Sequence, residues 1–388
     1  HGQDQVAVVP GVDEGHVHRA HAVTHRGTDP GGAAHGIAHQ VGCHLTVQGH
    51  QRDEIGAAGG PVDVQPAEGR AQIDDGAVGD RLAAPVIVDP QTPAAGPTVL
   101  AHGDLLVGAR DAHGRRIVLD ELRPEAILRL GPLPTSKPLW TYFDTFDGLQ
   151  IHVDDSRLTD PYAARTTQVD AEPLDFLRGE AHTSTPNDRA WVDEWLRLDA
   201  VVDDAVDRAV ASLEWPSEPA IARIVGNHAP GDTLLYLASS RPIRDVDAFA
   251  RPRTDVRVLS NRGVNGIDGT IASAIGTAAA GSPTTLLIGD VAALHDATSL
   301  AEAAASDLPL RVIVVNNDGG GIFEFLPQAT SGSLRREDFE RHWGTPHGLK
   351  LASVAEGFGL STRPVPDEAT FVEIVRSVPS RPELLEIR

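Results

Sequence analysis

Four short apolar runs, TLLYLAS, DVRVLS, TTLLIGD and LRVIVVNN, succeed one another at intervals of about 20–30 residues between Thr233 and Asn317, with helical stretches between them. Strands that are apolar throughout, rather than at alternate positions, must be covered on both faces. Such strands alternating with helices predict a layered α/β fold with a mostly parallel sheet, since parallel neighbours need a crossover connection. Upstream, APVIVDP (Ala84 to Pro90) and EAILRLG (Glu125 to Gly131) read as shorter buried strands closed by turn residues. Between Trp191 and Leu213, the residues Trp195, Leu198, Val202, Val206, Ala209 and Leu213 recur at helical spacing and predict an amphipathic helix. The chain thus divides into a central α/β segment with its linker helix over 81–215, and a second α/β segment over 216–388.

Residues 1–80 have a different character. Nine of the 17 histidines fall between His1 and His50, and no aromatic residue precedes Trp140. The stretch has no sustained helical or strand period, and it reads as no recognisable domain, disordered or translated out of frame from GC-rich DNA. His21 with His25, and His35 with His39, stand at i, i+4 spacing. Flanking Gly, Pro and Asp argue against a helix that could present them to a metal.

Composition excludes several functions. A net charge of −22 argues against nucleic acid as the main partner. No apolar run approaches the roughly 18 residues that would predict membrane insertion, and no signal peptide opens the chain. The single cysteine, Cys43, predicts no internal disulfide and fits the cytoplasm.

Ligands of open α/β sheets sit outside the carboxyl ends of the strands, so the strand exits carry the chemistry. One strand leaves through Gly289 and Asp290; another through Asn316, Asn317 and Asp318 into Gly319, Gly320 and Gly321. The 27 positions from Asp290 to Asn317 accommodate an exit, a helix and a return strand. A carboxylate, an amide oxygen and a carbonyl freed by glycines form a hard oxygen set suited to Mg²⁺ with phosphate oxygens. A turn and a helix cap are the plainer readings of each half alone. LSNRGVNGIDGTIASAIGTAAAG (Leu259 to Gly281) leaves a strand through a glycine-rich loop and enters a helix of small residues, which predicts N-terminal amides aimed at an anion.

The GD…NN pattern resembles the thiamine diphosphate (ThDP) motif of ThDP-dependent enzymes. SSRPIRDVD (Ser239 to Asp247), SNRGVNGIDG and NNDGGGIFEFLP together resemble one family, 2-succinyl-5-enolpyruvyl-6-hydroxy-3-cyclohexene-1-carboxylate (SEPHCHC) synthase of menaquinone biosynthesis. LRPEAILRLGPLPTSKPL, GDVAALHDATSL and HWGTPHGLKLASVAEGFGL add to the likeness, which runs from about Leu82 onward. The resemblance implies a ThDP-binding fold with a central domain and a diphosphate-binding domain, and a cytoplasmic homodimer or homotetramer. The implied activity is that of a transferase, the ThDP- and Mg²⁺- (or Mn²⁺-) dependent decarboxylation of 2-oxoglutarate and addition of the remaining unit to isochorismate. Asp290, Asn317 and the carbonyl of Gly319 would hold the metal; Gly266, Ile267, Gly289 and Ile322 would join them around the cofactor, with Ile267 as the apolar wedge beneath it. Ser240, Arg244 and Arg262 would bind substrate carboxylates, beside a wall of Ile322, Phe323 and Leu326.

The chain also departs from the family. The family's activating glutamate lies in a segment like DER-x-x-GF-x-ALG, and QRDEIGAAGG (Gln51 to Gly60) lacks its apolar and aromatic residues, so no catalytic glutamate is assigned. Asn265 stands where serine is usual. The chain reads as a fragment without a pyrimidine-binding domain, shortened at its C-terminus, and is expected not to turn over by itself. Two other functions stay open: an acetolactate synthase-like ThDP enzyme, which would not need the paired arginines, and a non-catalytic ThDP-binding or oligomerisation module.

Overall fold

The computed structural model describes residues 5–9, 84–92, 94–110, 116, 118, 122–155, 166–180, 188–261, 266–332 and 334–388. The chain forms two compact units, His1–Arg208 with Pro252–Thr254, and Ala209–Arg251 with Asp255–Arg388. No helix among the described residues is long and apolar enough to cross a membrane.

The first unit holds a five-stranded sheet of β1 (Gln5–Val9), β2 (Ile87–Val88), β3 (Ala126–Leu130), β4 (Leu149–Val153) and β5 (Thr166–Val169), in the order β2-β1-β3-β4-β5. β3, β4 and β5 are parallel, whereas β1 runs antiparallel to both of its neighbours. The sequence predicts no element at β1. The rest of residues 1–80, with the histidine pairs His21/His25 and His35/His39, lies outside the described residues. Alternation along β3 sends Ile127 to one face, against Tyr142, Phe143, Phe146 and Trp195, and Leu128 and Leu130 to the other, against Ile151 and Val153. The predicted amphipathic helix runs over Arg189–Ala211 and buries Trp195 and Val206. Leu213 falls beyond its end and is 47% exposed, so the apolar period outruns the helix by one position of the pattern.

The second unit is built on a fully parallel sheet of β6 (Leu234–Leu237), β7 (Arg257–Leu259), β8 (Thr284–Gly289), β9 (Leu310–Val315), β10 (Ser361–Thr362) and β11 (Glu383–Ile387), ordered β10-β11-β9-β8-β6-β7. β8 and β9 are central, which is why their later halves, Leu286 to Ile288 and Val312 to Val315, read as apolar runs. One face packs against α3 (Thr270–Ala279), through Ile271, Ala274, Ile275 and Ala278; the other packs against α1 (Glu218–His228) and α2 (Arg241–Phe249). The Ser217 hydroxyl caps α1 by accepting from the Ala220 N–H. Arg311 of β9 is buried, donating to Glu383 Oε1 at 2.7 Å and to the Ser377 carbonyl at 2.8 Å.

The chain runs from β6 outward to β7, then crosses back to place β8 on the other side of β6. The strand order therefore reverses between β6 and β8, and a crevice outside their carboxyl ends is where a ligand binds in such a sheet.

Candidate functional site

β8 and β9 pair in register, Gly289 opposite Val315, so Asp290 leaves the sheet level with Asn316. The two amides then take different roles. Asn316 is buried and committed: its Nδ2 donates to the Leu349 carbonyl at 3.1 Å and to Glu386 Oε1 at 2.6 Å, and its Oδ1 accepts from the Asp318 N–H. Asn317 is exposed, and its Nδ2 donates to Glu218 Oε1 at 2.6 Å. Its Oδ1 is therefore turned away from that carboxylate, since two oxygens would repel.

Asp290 is 2% exposed. Its Oδ1 accepts from the Val291 N–H at 2.7 Å, and its Oδ2 accepts from the Gly319 N–H at 2.8 Å. That contact joins the two strand exits that the sequence singles out. Gly319 sits at φ 140°, and a Cβ there would lie 2.0 Å from the Gly344 carbonyl oxygen, so both backbone shape and space require glycine. Its carbonyl accepts from the Gly321 N–H and keeps a second lone pair.

The loop is braced by a later segment, GTPHGL. Asp318 Oδ1 accepts from the Gly348 N–H at 2.6 Å and the His347 N–H at 3.1 Å, and these backbone donors hold its carboxyl below the usual range. His347 Nε2 lies 3.0 Å from Asp290 Oδ2. Neither His347 nor Glu218 stands in a sequence pattern that predicts a role at the site. Among the described residues the non-glycine positive φ angles are at Asp232, Ser240, Asp318 and Thr345, and all but Asp232 lie in the loops at this edge. Strain of that kind concentrates where a fold positions a site.

On the β6 side, Ser240 is held at φ 76° before α2, and Arg244, one turn on, donates to its carbonyl at 2.8 Å. Between them Arg241 donates to Glu218 Oε2 at 3.2 Å, pairs with Asp245 and lies 4.4 Å over the Phe325 ring. Glu218 thus ties the start of α2 to Asn317. Burial pushes the Asp245 carboxyl up to about 7 despite Arg241. Ile322, Phe323 and Leu326 lie on or next to the 3₁₀ turn Gly321–Phe325, with Phe323 39% exposed. Arg262 and Asn265 lie outside the described residues.

The helix that follows the glycine-rich loop, α3, meets a carboxylate of the chain at its start. Asp296 Oδ2 accepts from the Ile271 and Ala272 N–H groups at 2.6 and 3.0 Å, so two of the first amides of α3 already have an anion from the protein itself. GDVAALHDATSL supplies that cap 25 positions away, which no local pattern reveals. Gly266 and Gly289 instead face space: among the described residues no atom lies within 4 Å of a Cβ built on either. Ile267 is half-buried and packs on the core beneath.

The oxygen set fits a hard divalent cation beside a diphosphate: the carboxylate of Asp290 at one strand exit is joined by a hydrogen bond to the neighbouring exit that carries the Asn317 amide and the Gly319 carbonyl, next to open space at Gly289. No cluster of three or more His, Cys, Asp or Glu suited to a metal occurs among the described residues.

Residues 245–387 match the C-terminal TPP-binding domain of thiamine pyrophosphate enzymes. The SEPHCHC synthase of Rubrobacter xylanophilus is 41% identical over 266 residues, 67% of this chain and 44% of its own length. That of Geobacillus kaustophilus is 36% identical over 244 residues, 62% and 41%, and that of Halobacterium salinarum 36% over 308 residues, 76% and 50%. The chain spans about half the length of the curated relatives it matches. A 4-hydroxybenzoylformate decarboxylase from Rhodococcus jostii, described as thiamine diphosphate-dependent, superposes with a TM-score of 0.47 at 19% identity, over 66% of this chain and 44% of that one.

Proposed function

We propose that this relative of SEPHCHC synthases carries the metal- and diphosphate-binding part of a ThDP-dependent synthase. The reaction releases CO₂ from 2-oxoglutarate and joins the remaining four-carbon unit to isochorismate. One observation carries the reading: Asp290 at the exit of β8 accepts from the Gly319 N–H at the exit of β9, within the segment that matches the TPP-binding domain.

Asp290, Asn317 Oδ1 and the Gly319 carbonyl would hold Mg²⁺ or Mn²⁺, and the open side of Gly266 and Gly289 would admit the diphosphate. Ile267 would support the cofactor from the core side and Ile322 would line it. When bound, ThDP supplies the electron sink for decarboxylation. Arg244 and Arg262 offer guanidinium forks matched to carboxylates, which both substrates carry. Ser240 presents its hydroxyl from a strained turn at the same sheet edge, and Phe323 and Leu326 give an apolar wall that would exclude water. No residue is proposed to activate the cofactor; the part proposed for this chain is to bind it. The assembly is a homodimer or homotetramer in the cytoplasm.

Saturation-transfer NMR with ThDP and Mg²⁺ present tests the substrate. 2-Oxoglutarate should be engaged, pyruvate should not, and Arg244→Ala should lose the signal. Preference for pyruvate, indifferent to Arg244, would point instead to an acetolactate synthase-like enzyme.

A further inference from the structure

We infer that His347 is the positioning residue of the metal-binding carboxylate, Asp290; this rests on the reading of Asp290 as a metal ligand. The Leu349 N–H points at His347 Nδ1 from 3.0 Å. A backbone N–H only donates, so Nδ1 is the bare nitrogen and the ring proton is on Nε2. Nε2 in turn lies 3.0 Å from Asp290 Oδ2 and donates to it. Asp318 Oδ1 stands farther off, 3.5 Å from Nδ1, and takes the His347 and Gly348 backbone N–H groups. The imidazole is 13% exposed and anchored on both sides, so its direction is set before any ligand arrives.

The consequence is an asymmetric carboxylate. Among the described residues Oδ2 receives two donors from distant segments, Gly319 and His347, while Oδ1 receives only the neighbouring Val291 N–H. His347 commits one oxygen and leaves the other with lone pairs for a cation. A hydrogen bond to a ligating carboxylate from outside the coordination sphere typically governs affinity by about 10–100-fold.

The test is Mn²⁺ titration of the full chain followed by electron paramagnetic resonance, with ThDP present. His347→Ala should weaken Mn²⁺ binding by roughly 10–100-fold and alter the line shape of the bound ion. His347→Gln, whose amide N–H replaces the Nε2 donor, should recover most of the affinity. The exposed His342→Ala control should change nothing. Unaltered binding in His347→Ala, with binding lost in Asp290→Ala, overturns the inference and leaves the site reading standing. Unaltered binding in Asp290→Ala, or no binding by the unsubstituted chain, overturns both. If His347→Ala does not fold, long-range ¹H–¹⁵N correlation of the unsubstituted chain decides, with His347→Gln identifying the signal. A ring protonated on Nδ1 overturns the inference.

Discussion

Asn317 Nδ2 donates to Glu218 Oε1 at 2.6 Å, a hydrogen bond between residues 99 positions apart. It fixes which end of the amide meets the carboxylate. Glu218 is itself held by Arg241. Replacing Glu218 with Ala should free the amide to rotate and weaken Mn²⁺ binding by about tenfold, the low end for an orienting partner. Glu218→Gln, which keeps an accepting oxygen, should lose much less. Parallel Mn²⁺ titrations of the two variants check this.

Gly319→Ala meets two obstacles at once, a φ of 140° and a carbonyl 2.0 Å from the new Cβ. The loop must shift, at a cost of roughly 2–3 kcal/mol in urea unfolding. Because the Gly319 N–H is lost from Asp290 in the same movement, Mn²⁺ affinity should fall with it. A variant as stable as the parent that binds Mn²⁺ normally would contradict the loop geometry.

The Arg311–Glu383 pair is structural and lies on the sheet away from the strand exits. Glu383→Ala leaves a buried guanidinium with only Ser377 as partner, and should cost about 3–5 kcal/mol. Substituting both residues by leucine should cost less than the single change, since no unpaired charge is left behind. Urea denaturation of the three chains measures the difference.

Burial raises Asp104 and Asp245 to about 7 each. Between about 3.9, the value in the unfolded chain, and about 7, the folded state therefore binds more protons than the unfolded one. Their contribution to stability is present at low pH and is lost as pH rises through that window. Asp245→Asn keeps an oxygen for Arg241 and has no charge to bury, so it should exceed the parent in stability at pH 8, the gap closing towards pH 5. Asp104→Asn should behave alike, with its partner Ser136 Oγ–H retained at an amide oxygen. Melting temperatures across that range provide the check.

What the sequence reveals and what it hides follow from range. The parallel sheet is evident because β8 and β9 are covered on both faces and are apolar over Leu286 to Ile288 and Val312 to Val315. The juxtaposition of Asp290 with the Asn317–Gly319 loop follows once those strands are neighbours. His347 and Glu218 are invisible because each reaches the site from a separate segment, 57 positions from Asp290 and 99 from Asn317, with no periodicity to announce it. Asp296, which caps the start of α3 from 25 positions away, is hidden for the same reason. Leu213 keeps the apolar period although the helix has ended, since periodicity marks a face and does not mark a terminus.

The most direct measurement is titration calorimetry of the chain with ThDP, in Mg²⁺ and again in EDTA, for the parent and for Asp290→Ala. Asp290, Asn317 and Gly319 acting as the metal-diphosphate cradle predict binding in Mg²⁺ alone, abolished by Asp290→Ala. Absence of ThDP binding in Mg²⁺, or binding indifferent to both the metal and Asp290, would contradict it.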